Sequence, residues 1–234
     1  MDAQPNAFGQ PVGKILPDWQ GCERLPDTML NGRTCRVVPF QPEHAGPLCE
    51  AFAADDGRMW TYLPYGPFAD AAMLAASVAT YMDTRGFHTF VIVVGGRPLG
   101  YASFMRYDEP NGSVEVGGVT FSPALQRTVA ATEAMYLMMR HAFDHGYRRY
   151  EWKCDQLNGP SNRAALRLGF QFEGVFRNAM VRDGRRRDTA WYSVIVEDWP
   201  DVRARLEAWL EPANFDSDGR QKTALRQQAL PQPF

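Results

Sequence analysis

The chain is short of cysteine, of net basic charge and of long apolar runs, and each shortage excludes something. Its four cysteines, Cys22, Cys35, Cys49 and Cys154, form no C-x-x-C pair. At 234 residues it needs no disulfide staples, so buried, reduced thiols in a cytoplasmic protein are expected. The formal net charge is −2, which gives no global field for nucleic acid. The first residues show no basic segment followed by an apolar run, so no signal peptide is expected. No apolar run approaches the ~20 residues of a membrane span, and no internal repeat is visible.

What is present is an apolar fraction of 45%, enough for a sizeable core, organised around residues 113–170. Strand-like residues run over Ser113–Phe121. A loop over 122–128 leads into a helix predicted over 129–145, then a strand over 149–154 and a helix over 158–168, closed by Gly169-Phe170. If the two strands are parallel neighbours, the first helix starts just beyond the carboxyl end of the first strand, where such sheets bind ligands. A helix start offers unpaired N–H groups and the positive end of a dipole.

Before this unit the pattern predicts a strand over 33–40, a helix over 42–54, an aromatic loop over 59–68 and a helix over 71–84 capped by Asp70. A hairpin follows, with strands 87–94 and 98–107 turned at Gly95-Gly96. After Phe170 come strands ending at Arg182 and starting at Arg187, joined at Asp183-Gly184, then a helix from Pro200 to Leu210. Residues 1–30, rich in Pro and Gly, read as an extended segment that Trp19 anchors. Residues 31–214 read as the domain, and 215–234 as a polar tail, mobile or docked on a neighbour. The class is α/β, a mixed and mostly antiparallel sheet with a strand–helix–strand insert.

Gly117-Gly118 inside a strand marks a bulge or a close backbone approach. A bulge here would splay the strand from the one starting at Arg149 and free backbone groups for an extended, amide-bearing ligand such as a pantetheine arm. A simple kink is the other reading. In the loop, small Ala130 and Ala131 permit close approach of a phosphate, Thr128 and Thr132 add hydroxyls, and Arg127 adds charge. An ordinary helix start is the alternative. His141 and His145 have i, i+4 metal-ligand spacing, but no third ligand is suggested, and a helix end favours histidine anyway. No metal is expected. Arg182, Arg185, Arg186 and Arg187 cluster at a hairpin tip and read as a solvated face rather than a nucleic-acid site.

The run Gln126-Arg127-Thr128-Val129-Ala130-Ala131-Thr132-Glu133-Ala134 resembles the acyl-CoA pyrophosphate loop of the GNAT N-acetyltransferase superfamily. Asp155-Gln156-Leu157-Asn158-Gly159-Pro160-Ser161-Asn162-Arg163-Ala164-Ala165, followed by Leu168-Gly169-Phe170 and Glu173-Gly174, resembles its second motif. Together with Trp60-Thr61-Tyr62-Leu63-Pro64 and the stretch 184–191, they are similar to the branch holding the ribosomal-protein alanine and serine N-acetyltransferases, in a bacterial subgroup of unassigned acceptor. The resemblance implies the acyl-CoA N-acyltransferase fold, with a parallel, splayed strand pair and flanking helices. It implies acetyl-CoA as co-substrate and direct transfer to a primary amine: a protein N-terminus, an aminoacyl group or a small amine. It implies that Val119, Phe121, Gln126, Arg127, Thr128, Val129, Ala130, Ala131, Thr132, Asn158, Ser161 and Arg163 bind the cofactor. Trp60, Tyr62, Tyr101 and Trp191 would bind the acceptor.

Glu115 is the candidate base for the amine. Strict alternation puts it on the face of Gly117, Val119 and Phe121. Asp188 and Tyr192 are further candidates for the acceptor pocket. Two departures stand out. Many members have glycine where this chain has Val129, so the loop must be helical there. Many carry a tyrosine as thiolate acid where this chain has Ala165, so either the catalytic candidate Ser161, a water or another tyrosine protonates the sulfur, or the thiolate leaves unaided. That second departure leaves open an acyl-CoA-binding regulatory module without turnover. Monomer and homodimer also stay open.

Overall fold

The computed structural model of the chain describes residues 3–225. Its elements are β1 (Gln4–Pro5), β2 (Pro11–Val12), β3 (Leu30–Asn31), β4 (Arg36–Pro39), α1 (Ala45–Phe52), α2 (Ala71–Arg85), β5 (His88–Val94), β6 (Arg97–Asp108) and β7 (Ser113–Phe121). They continue with α3 (Val129–Asp144), β8 (Arg149–Asp155), α4 (Gly159–Leu168), β9 (Gln171–Arg182), β10 (Arg185–Ile195) and α5 (Trp199–Leu210). β1 and β2 form a small separate ladder, and the other eight strands make one sheet in the order β3-β4-β5-β6-β7-β8-β10-β9. Every pairing in that sheet is antiparallel except β7 with β8.

The sheet is covered on both faces, but unequally. On one face α3, α4 and α5 enclose the main core, which includes Phe90, Phe104, Val116, Met138, Phe170 and Leu206. Each such side chain contributes roughly 1.5–3 kcal/mol by leaving water. On the other face α1 and α2 pack Leu48, Phe52, Leu74 and Val78 against Val91, Val93 and Tyr101. That second cover reaches β4 to β6. Beyond it, the same face of β8 and β10 carries the half-buried Glu151, Lys153, Asp155 and Trp191.

The strand expected over 33–40 is shorter, because other bonds claim its start. The Glu133 carboxylate, buried on α3, accepts from the backbone N–H of Arg33 (2.8 Å), Thr34 (2.6 Å) and Cys35 (3.1 Å) and from the Thr34 hydroxyl (2.5 Å). Gly32 permits this approach: a Cβ there would lie 2.6 Å from Glu133 Cδ. Trp19 anchors the N-terminal segment, donating to the Pro110 carbonyl at 2.8 Å under the Arg148 guanidinium. At the other end, residues 212–225 fold back on their own domain. Phe215 meets Trp209 edge-on, Trp209 Nε1 donates to Gln221, and Leu225 is buried. The expected tail's last part, 226–234, lies outside the described residues.

Glu133 ties the N-terminal turn to α3. Burial would raise its carboxyl, but the donors from Thr34, Arg33 and Cys35 outweigh that and hold it below the ordinary 4.5. Its contribution is therefore complete above that value and is lost as pH falls through the lower folded one. Glu133→Ala strands three backbone donors and is expected to cost about 2–4 kcal/mol. Urea unfolding checks this; an unchanged midpoint would show that the carboxylate holds nothing.

Candidate active site

β7 and β8 are paired only at Ser113–Arg149, Val114–Tyr150 and Glu115–Glu151. Past Glu115 they part, and the facing edges of residues 116–121 and 152–155 have no partner strand in each other. Two bulges on the β6 side drive this shape. Tyr101 faces Thr120, but Ser103 faces Gly117, so Gly118 and Val119 together oppose Ala102. Gly118 sits there at φ +60, a conformation that glycine adopts without penalty. At the other end Met105 faces Glu115 and Asp108 faces Ser113, so Arg106 and Tyr107 oppose Val114, with Arg106 itself at φ +49.

The first bulge corrects the alternation argument. Because the strand gains one residue, every side chain after it changes face. Glu115 and Gly117 share one face, and Thr120 joins it, its hydroxyl 3.1 Å from Tyr65 Oη. Val119 and Phe121 instead pack on the main core. The second bulge lets Arg106 share the face of its neighbour Met105, where it reaches Glu115.

Glu115 is 1% exposed. Its Oε2 lies 3.0 Å from Lys153 Nζ and 3.3 Å from Arg106 Nε. Both are ion-pair contacts and neither is aligned as a hydrogen bond, so among the described residues Oε2 has no hydrogen-bond partner. Burial pushes the carboxyl up to about 7, with Lys153 and Arg106 pulling against it. A carboxylate poised there can take a proton near neutral pH. Trp191 on β10 completes the cluster: Lys153 Nζ is 5.2 Å and Arg106 Cζ 5.4 Å from its ring centroid, and its own buried Nε1 has no partner among the described residues.

Two helix starts stand at the open end of the wedge. Thr128 caps α3, accepting from Ala131 N at 3.1 Å, which leaves the Val129 and Ala130 N–H groups at the helix mouth. Val129 is helical, and the left-handed residue is the exposed Arg127 at φ +62. Gln126 Nε2 holds the Phe121 carbonyl at 2.8 Å. Ala130 and Ala131 are buried in the main core, and the buried Thr132 hydroxyl accepts from Arg167 at 2.9 Å. Asn158 caps α4, accepting from Ser161 N at 3.1 Å. Ser161 Oγ accepts from Trp152 Nε1 at 3.0 Å, so its own proton is the better donor. Arg163 is exposed on α4, and Ala165 is fully buried in the main core.

The aromatic loop lies across this opening. Tyr62 Oη donates to the Leu157 carbonyl at 3.1 Å, and the Tyr62 carbonyl accepts from Arg182 Nη1 at 2.7 Å. Trp60 and Tyr101 are buried beneath the loop, Trp60 against Phe52 and Phe68, Tyr101 against Phe52 and Tyr65. Tyr192 faces the main core and donates to Asn162 Oδ1, while Asp188 accepts from Asn178 N. The arginine cluster is only partly a solvated face. Arg185 and Arg186 are exposed, but Arg187 is 7% exposed and donates to Thr189 Oγ1. His141 is buried beside Phe104, His145 Nδ1 bonds the His141 carbonyl, and among the described residues no group of three metal-ligating side chains forms. Among the described residues no helix is long and apolar enough to cross a membrane.

Sequence reasoning missed Lys153, Arg106 and Tyr65. For Lys153 the signal was available, since Glu151 and Lys153 alternate on one face of their strand. Arg106 depends on a bulge that no residue type announces.

A mostly antiparallel sheet opened at its one parallel pair, with helix starts at the opening, is the acyl-CoA N-acyltransferase fold. The sequence model of the acetyltransferase (GNAT) domain matches residues 35–171. The chain is 39% identical to a GCN5-related N-acetyltransferase from Brucella melitensis, over 90% of this chain and 97% of that one, with a TM-score of 0.86. It is 37% identical to a GNAT-family protein from Chromobacterium violaceum, over 82% and 98%, with a TM-score of 0.76. Mycobacterium smegmatis RimJ, in complex with CoA-disulfide, shares the fold at 20% identity, over 74% and 88%, with a TM-score of 0.63. A search of curated proteins finds none that matches. The chain belongs to the GNAT acetyltransferase family. It is an acyl-CoA-dependent acyltransferase.

The Glu115 carboxyl is expected to titrate at about 7 by side-chain carbon-13 NMR. Lys153→Met removes a cation that lowers it, so the midpoint should rise. Because the folded value lies above the ordinary 4.5, this group's contribution to stability falls as pH rises from 4.5 through about 7. A midpoint in the ordinary carboxylate range would refute the environment described.

Proposed function

We propose that the chain moves an acetyl group from acetyl-CoA directly to a primary amine, and that the observation carrying this is the parted strand pair with Glu115 at its apex. The pantetheine arm lies in the wedge, pairing with the free edges of β7 and β8. The pyrophosphate rests against the first N–H groups of α3, with Arg127 beside it. A backbone N–H near the Gly118 bulge polarises the thioester carbonyl. RimJ of the same fold holding CoA-disulfide supports this seat.

Glu115 takes the proton from the acceptor ammonium, which then attacks the thioester carbon. The CoA thiolate leaves, and Ser161 supplies its proton, the role for which Ala165 has no polar group. Accepting from Trp152 suits Ser161 to that task. The acceptor enters over β8 and β10, where α1 and α2 do not reach, beside Trp191 and under Tyr62. Its class is a protein N-terminus, an aminoacyl group or a small amine.

The test is thiol release from acetyl-CoA across an amine panel. Glu115→Gln should lower kcat by ~10²–10⁴-fold, leave acetyl-CoA affinity within about threefold, and flatten the pH profile, which in the native chain rises toward about 7. Retention of that profile in the variant would place the base elsewhere. Val129→Asp adds an anion at the start of α3, which the helix itself tolerates. Acetyl-CoA affinity by calorimetry should fall at least about tenfold with the melting temperature unchanged. Unaltered affinity would remove the pyrophosphate from this helix.

A further inference from the structure

We infer that Lys153 is itself an acceptor: the chain acetylates this side chain in cis. The inference rests on the acetyl-CoA reading above. Lys153 lies on β8 two residues past its last pairing with β7, on the face of Glu115. Its amine therefore stands near the closed end of the wedge, 3.0 Å from Glu115 Oε2 and over the Trp191 ring. That is the arrangement an acceptor amine requires, a primary amine held against the base beside the thioester seat.

Three further observations favour a chemical role over a plain ion pair. The Lys153 ammonium meets Glu115 from a side chain that stays partly open to solvent, so the amine is held against the carboxylate without being sealed off. Arg106 already supplies Glu115 with a second cation at 3.3 Å. Lysine is also scarce in this chain: of 25 basic residues only Lys14, Lys153 and Lys222 are lysine. Where charge alone is wanted the chain uses arginine, which has no comparable nucleophilic amine. Lys153 is the lysine placed within the sheet, and its side chain is 21% exposed.

The step balances. Glu115 takes one proton from the Lys153 ammonium, and the freed lone pair attacks the thioester carbonyl carbon. The C–N bond forms as the carbonyl opens. Collapse of the tetrahedral intermediate breaks the C–S bond, and the departing thiolate receives the second amine proton. The products are an acetamide N–H on Lys153, free CoA thiol, and one proton that Glu115 returns to water. No other reactant is needed. The modified side chain no longer carries charge, which leaves Arg106 as the cation at Glu115.

Peptide mass spectrometry of the full chain tests this, counting acetylation present after purification together with that added by acetyl-CoA. Lys153 should approach full occupancy at a rate independent of protein concentration, at least about tenfold faster than Lys14 and Lys222. Those two are exposed, so they report uncatalysed acylation in the same sample. Glu115→Gln should remove the excess at Lys153 and leave the other two unchanged. Without added amine, unmodified protein should release about one equivalent of thiol per chain, and Lys153→Arg should abolish that burst. Equal, slow acetylation of all three lysines overturns the inference. If external amines still drive thiol release in that case, the acetyl-CoA reading survives it. If the chain neither binds acetyl-CoA nor releases thiol with any amine, both fall together.

Discussion

Two neighbouring strands that stop pairing after Glu115 and Glu151 set the rest of the structure in order. A parallel pair closed along its length would bury both edges and leave no backbone group for a ligand. Here the separation is imposed from the far side of β7. An extra residue at Gly118, in a conformation that suits glycine, bends that strand away from β8 while β6 stays bonded to it. Backbone geometry therefore makes the site first, and side chains populate it afterwards. The helix starts of α3 and α4 follow from the same topology, because each begins just beyond the carboxyl end of a strand that has turned aside.

The electrostatics depend on this geometry. An almost fully buried carboxylate is costly unless charged partners reach it. Glu115 has two, but each comes from a different strand and neither satisfies Oε2 with an aligned hydrogen bond. The carboxylate is stabilised enough to remain within the neutral range and not so much that it becomes an inert ion pair. Arg106 reaches it through a left-handed backbone, which costs of order 1–2 kcal/mol in a residue other than glycine. That strain persists because β6 and β7 are bonded on both sides of the bulge and leave the arginine no alternative.

Much of this was legible in the sequence, for reasons that differ by element. The strand–helix–strand–helix unit carried its own periodicity, and Asp70 announced the helix it caps before that unit, while Thr128 and Asn158, read as ligand contacts, prove to cap α3 and α4. Gly117-Gly118 announced a disturbance in β7. What those glycines did not announce was its sense, a shift of one residue that sends Val119 and Phe121 to the core face and Thr120 toward Tyr65. Alternation is a local rule, and a bulge breaks it without leaving a mark beyond itself. The start of β4 was misjudged for the opposite reason. Its residue types suit a strand, yet a carboxylate about 100 residues later claims the N–H groups a strand partner would need, at separations of 98 to 100 residues. The family motifs located the helix starts but said nothing of Lys153, whose significance comes from a neighbour on another strand.

The loop at Tyr62 has a kinetic implication. It is moored to the opposite bank by a neutral hydrogen bond to the Leu157 carbonyl and a charge-assisted one from Arg182. Bonds of these kinds contribute roughly 0.5–1.5 and 1.5–3 kcal/mol. Parting Tyr62 from Leu157 and Arg182 is therefore far cheaper than unfolding either core. The contact can part at Tyr62 while Trp60, Tyr65 and Phe68 of the same loop stay packed in the core under α1 and α2.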